Sequence, residues 1–250
     1  MLSQVILKIK RKENFFYAFL YDFAKTILSL SIPTIKFIHL PLYRLDYFTK
    51  TGTRWLINFL WSTPLFRARC EKVGKNLRLP NGIPLIVGTH LKIFLGDNVS
   101  IGRSTIGASK VFDDPILKIG NNTSLGYGTV ISVAKEVSIG DNCMIAPHCM
   151  IMDSDDHPID PQKRFLQMPV EKEEVRPIKI GNNVWIGAYC AILKGVTIGD
   201  NSIIATHSVI TKDVMENSIY AGNPARPVSR DIGKLSDQFG LRREVETPKP

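Results

Sequence analysis

One histidine, His157, lies in the stretch "MDSDDHPID" (Met152–Asp160), with Asp153, Asp155 and Asp156 within four residues of it. An imidazole titrates near neutral pH, so it can take a proton from a hydroxyl as the oxygen attacks an electrophile. Its second ring nitrogen needs a partner that fixes tautomer and orientation. Asp153, Asp155 and Asp156 are candidates for that partner, and a backbone carbonyl is another. Taken alone, a histidine in an acidic stretch is more often a solvated surface residue. His148 and His207 would complete a conceivable set of nitrogen ligands with His157. The close spacing of a metal set is absent, and no metal is expected. His39 and His90 read as structural. The four cysteines (Cys70, Cys143, Cys149 and Cys190) have neither metal-ligand nor C-x-x-C spacing, and they point to a reducing compartment.

His157 interrupts a regular pattern. Leu95, Ile101, Ile119, Leu125 and Ile131 share a six-residue register, as do Ile139, Ile145 and Ile151. Ile180, Ile186, Ile192, Ile198, Ile204 and Ile210 then run without a slip. A helix needs a period of 3.6 and a plain strand a period of 2, whereas six fits a short strand plus a bend. "IGNN" at Ile119 and Ile180 and "IGDN" at Ile139 and Ile198 supply Gly and Asn for tight corners. Three such sides make an 18-residue triangular coil, in which Ile180 stacks on Ile198 and rungs lie about 4.8 Å apart. A β-sandwich would not hold a fixed period over six consecutive units. The run from about Asp153 to Pro177 is therefore expected to be a loop thrown out between coils, where function commonly resides.

From Val73 to Arg230 the chain resembles the hexapeptide-repeat acyltransferases. The likeness is strongest in "RPIKIGNNVWIGAYCAILKGVTIGDNSIIATHSVITKDVMENSIYAGNPARPVSR" (Arg176–Arg230), whose blocks look like those of maltose, galactoside and polysaccharide O-acetyltransferases. The resemblance implies a mainly β fold, a left-handed parallel β-helix, with acetyl-CoA as donor and no covalent enzyme intermediate. It implies that His157, followed by Pro158, is the general base. Trp185 matches a tryptophan beside the acetyl-donor site. Gly187 and Ala205 match positions whose amides face the pantetheine arm, and Lys212 and Arg226 match groups near the phosphates or adenosine of CoA. A homotrimer is implied, with the donor groove between neighbouring β-helices. One departure matters: where galactoside-type enzymes carry an acceptor-holding asparagine, this chain has Gly126, next to Tyr127.

Residues 1–70 follow another grammar. The net charge of +9 is uneven: residues 1–80 hold 14 Lys/Arg and 4 Asp/Glu, whereas residues 81–250 hold 18 and 19. "NFFYAFLYDFAKTILSLSI" (Asn14–Ile32) is apolar over most of its circumference, but Asp22 and Lys25 near its middle argue against a spanning helix. Pro33 and Pro41 are expected to break helices, and Thr53–Trp61 reads as a short apolar helix. Aromatics mixed with Lys and Arg suit a segment lying in a membrane interface; a helical cap on the β-helix or an oligomer contact is the alternative. No nucleic-acid-binding motif is present, and no cleaved signal peptide is expected.

The sequence thus leads to three regions: a basic, aromatic helical region (1–70), a β-helix (71–230) with an inserted loop (153–177), and a C-terminal tail (231–250). The expected function is O-acetylation of a sugar hydroxyl in a cell-surface polysaccharide such as lipopolysaccharide, or in its lipid-linked precursor. It would take place in the cytoplasm at the inner face of the plasma membrane. Acetylation of a small soluble acceptor, N-acetylation of an amino sugar, and a non-catalytic scaffold are the alternatives.

Overall fold

A computed structural model describes residues 2–229 and 231–233, so most of the 231–250 tail lies outside the described residues. The chain divides into two compact units at Gly52–Thr53. The first unit contains α1 (Leu2–Arg11), α2 (Phe15–Ser29) and the start of α3 (Lys36–Ile57). Asn14 caps α2 by accepting the Tyr17 N–H at 2.9 Å. None of these three helices has a buried residue, and Phe15, Phe16, Phe19 and Phe23 are all exposed. Among the described residues no helix is long and apolar enough to cross a membrane. Pro33 lies between α2 and α3, but Pro41 lies inside α3 instead of ending it, at the cost of the hydrogen bond to the Phe37 carbonyl. Thr53–Trp61 is likewise not a separate helix. α3 runs through it into a π-helical turn (Asn58–Ser62) and then α4 (Thr63–Arg69).

The second unit is a parallel β-solenoid with three faces. On the first face Val73, Leu95, Ile119, Ile139, Ile180 and Ile198 stack in register. On the second face the column is Ile101, Leu125, Ile145, Ile186, Ile204 and Tyr220. On the third it is Ile86, Ile106, Ile131, Ile151, Ile192 and Ile210. These columns, with Val99, Cys143, Cys149 and Cys190 at the corners, form one continuous core. Phe66 of α4, 1% exposed, closes the core at its N-terminal end. Residues 53–70 therefore fall in the same compact unit as the solenoid. An antiparallel hairpin, Ile219–Gly222 with Ala225–Ser229, edges the other end.

Corners are built by local chemistry. Between the first and second faces, Asn76, Asn98, Asn122, Asn142, Asn183, Asn201 and Asn217 all take positive φ, which asparagine tolerates better than most residues. Their amides form ladders: Asn98 donates to Asn122 at 2.8 Å and Asn183 to Asn201 at 3.0 Å.

Early coils are longer than 18 residues. Ile101 stacks on Leu125, not on Ile119 eighteen residues on, because Ile106 supplies the third face and extra residues follow it. Ile106 to Ile119, Ile131 to Ile139 and Ile151 to Ile180 all exceed the six residues that separate Ile192 from Ile198. All three excesses fall at the corner between the third face and the first. The insertions thus stack on one another, and the largest carries His157.

Candidate active site

The loop leaves the solenoid at Asp153 and returns at Arg176, whose N–H donates to the Asp153 carbonyl at 2.9 Å. The Asp153 side chain is fully buried, and its carboxylate accepts the N–H groups of Ala134, Lys135 and Glu136 at 2.6, 2.7 and 2.8 Å. Burial pushes the Asp153 carboxyl above its ordinary range, while these three donors pull it down. Asp153 therefore anchors the loop to the shorter insertion below it and does not orient His157.

The next residues turn sharply. Asp156 has positive φ, and its Oδ1 accepts the hydroxyls of Ser132 at 2.7 Å and Ser154 at 3.1 Å. The Asp155 carboxylate pairs with Lys194 Nζ at 2.6 Å. His157 donates its backbone N–H to the Asp155 carbonyl at 2.7 Å, and its side chain is exposed. All three carboxylates thus hold the loop. Asp155 and Asp156 act on His157 through the backbone, and among the described residues no side-chain hydrogen bond reaches the imidazole.

Downstream, Asp160 caps the short helix α5 (Pro161–Phe165), with Pro161 in its first turn. Arg164 of α5 reaches back to donate to the carbonyls of Pro158 and Ile159 at 3.1 and 3.0 Å. A small second core of Val111, Ala134, Val170 and Val175, with Phe112 against it, pins the far part of the loop. The ammonium groups of Lys135 and Lys172 lie 5.6 and 5.5 Å from the Phe112 ring centre. His157 borders a cavity of about 720 Å³. Its walls are the outer third face (Thr105, Gly107, Val130, Ser132), the insertion at Lys110 and Val111, and the loop from Arg164 to Val170.

The residues matched to donor binding lie elsewhere. Trp185 stands half-exposed on the outer second face, between Met144 and Ile203. Gly187 and Ala205 occupy equivalent places on successive coils at the corner between the second and third faces. A Cβ at Gly187 would lie 2.6 Å from Thr206 N, so the next coil comes too close for a side chain at this position. The N–H groups of Gly187 and Ala205 donate to the Ile204 and Tyr220 carbonyls at 2.8 and 2.9 Å, so neither is free to face a ligand. The amides of Ala188 and Thr206, one residue on, have no partner among the described residues. Lys212 is exposed on the turn after Val209–Ile210, and Arg226 is exposed on the terminal hairpin. None of these five residues lines the His157 cavity of the same chain.

His148 and His207 are not gathered with His157. They stack on either face of Tyr189, at 5.0 and 4.9 Å between ring centres, with Tyr127 edge-on to His148. The His148 ring also leaves no room for a Cβ at Gly128, whose φ is +72°. Among the described residues no three His, Cys, Asp or Glu side chains are grouped to hold a metal.

Comparison with known proteins adds three findings. Residues 177–212 match the family model described as bacterial transferase hexapeptide (six repeats), and residues 116–146 match that of the hexapeptide repeat of succinyl-transferase. The chain is 36% identical to the galactoside O-acetyltransferase of Escherichia coli, over 54% of this chain and 68% of that protein. It is 39% identical to a Saccharomyces cerevisiae protein provisionally named an acetyltransferase, over 50% of this chain and 61% of that protein. The chain thus spans about two thirds or less of these relatives' length. Among solved structures, the N-acyltransferase AntD from Bacillus cereus, in complex with a dTDP-amino sugar and coenzyme A, superposes with a TM-score of 0.54 at 19% identity. That match covers 72% of this chain and 96% of AntD and shows a shared fold.

Proposed function

Because the chain belongs to the hexapeptide-repeat acyltransferase family, we propose that it is an acetyl-CoA-dependent O-acetyltransferase acting on a sugar hydroxyl of a cell-surface polysaccharide or its lipid-linked precursor. The observation that carries this reading is His157 at the mouth of a cavity formed by the largest break in the repeat. His157 takes the proton of the acceptor hydroxyl as the C–O bond to the acetyl carbon forms. It returns that proton to the sulfur as the C–S bond breaks, so no other acid, base or metal is needed. Burial of Asp153, the Asp155–Lys194 pair and the Arg164 contacts hold the loop backbone on either side of His157 before substrate arrives, which contributes to the preorganisation such a base requires.

The donor residues fit an acyl-CoA in kind. Gly187 and Ala205 leave a low corner, and the unpaired N–H groups of Ala188 and Thr206 suit the amide carbonyls of a pantetheine arm. Lys212 and Arg226 suit phosphate oxygens. Their separation from the His157 cavity of the same chain supports a site completed by a second copy, in keeping with the trimer the family resemblance implies. The exposed aromatics and basic charge before residue 80 support a place at a membrane surface, where lipid-linked glycans would be met.

Acetyl-CoA turnover against a panel of lipid-linked sugars, soluble sugars, amino sugars and serine tests this reading. Preference for a sugar hydroxyl is expected. Turnover only with an amine, or only with serine, would overturn the acceptor assignment, and no turnover with any acceptor would favour a scaffold.

A further inference from the structure

The π-helical turn before the solenoid, Asn58–Ser62, lies outside the His157 cavity. Such turns are rare, arise where a helix accommodates an extra residue, and are frequent at functional sites. Here Asn58 and Phe59 of the turn, with Trp55 before it, face Leu77, Leu79 and Pro80 of the first coil across a groove of about 700 Å³. That volume lies in the range of small-ligand pockets. The Trp55 and Phe59 rings stack at 5.4 Å and are within 4° of parallel, which gives the groove a flat aromatic wall. The groove shares no residue with the His157 cavity.

Its mouth is cationic. Arg67 donates to the carbonyls of Gly74 and Val73 at 3.0 and 3.3 Å and so is held in place. Arg78 also lines the groove; its side chain is exposed, and among the described residues its guanidinium has no partner. Residues 53–80 hold six Lys/Arg and one Asp/Glu. Apolar walls beneath unpaired positive charge complement a molecule with an apolar tail and an anionic head. The same helical stretch continues outward through Leu56, Ile57, Leu60, Trp61 and Leu65, all exposed. A helix apolar around most of its circumference needs an apolar partner, and a bilayer supplies one.

We propose that this groove takes one acyl chain of an anionic membrane phospholipid, with the lipid phosphate at Arg78. The site does not depend on the transfer reaction, and it uses the membrane reading above only for the source of the lipid.

The test uses the full-length chain carrying Trp61→Phe and Trp185→Phe, which leaves Trp55 as the sole tryptophan of three. Its fluorescence is titrated with monomeric lysophosphatidylglycerol of 8, 10 and 12 carbons, and with monoacylglycerol, which lacks the phosphate, of the same lengths. The expected result is a saturable change that tightens roughly tenfold for each two methylenes added. Arg78→Glu should weaken the lysophosphatidylglycerol series about tenfold, the scale of one charge-assisted contact, and leave the monoacylglycerol series nearly unchanged. Asn58→Phe should fill the groove and abolish the response in a protein whose melting is unaltered. Arg78→Glu, at an exposed side chain, decides the matter alone if Asn58→Phe does not fold. No saturable response overturns the groove, as does no dependence on chain length or equal binding by Arg78→Glu. A parallel sedimentation with phosphatidylglycerol vesicles separates the two claims: pelleting without monomeric lipid binding removes the groove and leaves the membrane reading standing.

Discussion

Asp155 and Lys194 form an ion pair, 2.6 Å between Nζ and Oδ2, that joins the loop bearing His157 to the coil stacked beyond it. The Lys194 side chain is 23% exposed and that of Asp155 43%, so the pair is partly screened and contributes about 0.2–1 kcal/mol. Its effect should be felt in positioning more than in global stability. Lys194→Met is expected to lower kcat by roughly 2- to 10-fold, with the KM values and the melting temperature little changed. Hydrogen exchange of residues 154–157 should quicken in the same variant. Unchanged exchange and unchanged kcat would show that the pair does not hold the loop.

Asp153 makes the opposite kind of contact, buried and saturated with donors. Asparagine in its place has one acceptor oxygen, so at least one of the three N–H groups would face an NH₂. Asp153→Asn is expected to cost about 1–3 kcal/mol, the range for an unsatisfied buried polar group. Chemical denaturation reads this directly; a midpoint equal to the wild type would mean that the loop base relaxes to spare the lost bonds.

The position of Phe66 sets where the chain can be shortened. A chain beginning at Thr53 keeps Phe66 in the core and should melt cooperatively near the wild-type temperature. One beginning at Glu71 loses a side chain that is 1% exposed, and it should be less stable by about 3–5 kcal/mol. Equal melting of the two would show that α4 adds nothing to the solenoid.

The six-residue period made the core legible, because in a solenoid each side of a coil turns one aliphatic inward and its length shows directly as a sequence period. Ile180 on Ile198 was readable for that reason. Ile101 on Leu125 was not: Ile106 comes five residues after Ile101, and Lys110–Asp114 adds length that no periodicity reports. The break at Met152 located the loop, and the acids beside His157 were visible. Their partners were not, since Lys194, Ser132 and the Ala134–Glu136 amides lie on other coils, brought near only by stacking. The helical region misled in a different way. Pro41, expected to break a helix, and Thr53–Trp61, expected as a short helix of its own, both fell within one helical run, because a proline's missing donor weakens a helix without forbidding it. The amides of Ala188 and Thr206, without a partner among the described residues, follow from hydrogen-bond register, which residue identity does not encode.

Donor recognition is tested through Lys212 and Arg226. Each changed to Ala should raise the KM for acetyl-CoA several-fold, with little effect on the acceptor KM. A donor lacking the 3′-phosphate should be a poorer substrate for the wild type. If the wild type uses that donor equally well and neither variant shifts KM, these two cations do not meet the CoA phosphates.

The central claim is that His157 is the general base, and it is tested most directly by the turnover of His157→Ala with a saturating sugar acceptor. The side chain is exposed and makes no side-chain hydrogen bond among the described residues, so the variant should fold, melt and bind CoA as the wild type does. Turnover should fall by about 10²-fold or more, the scale for loss of a general base. A folded, CoA-binding variant that retains near-normal turnover would contradict the account.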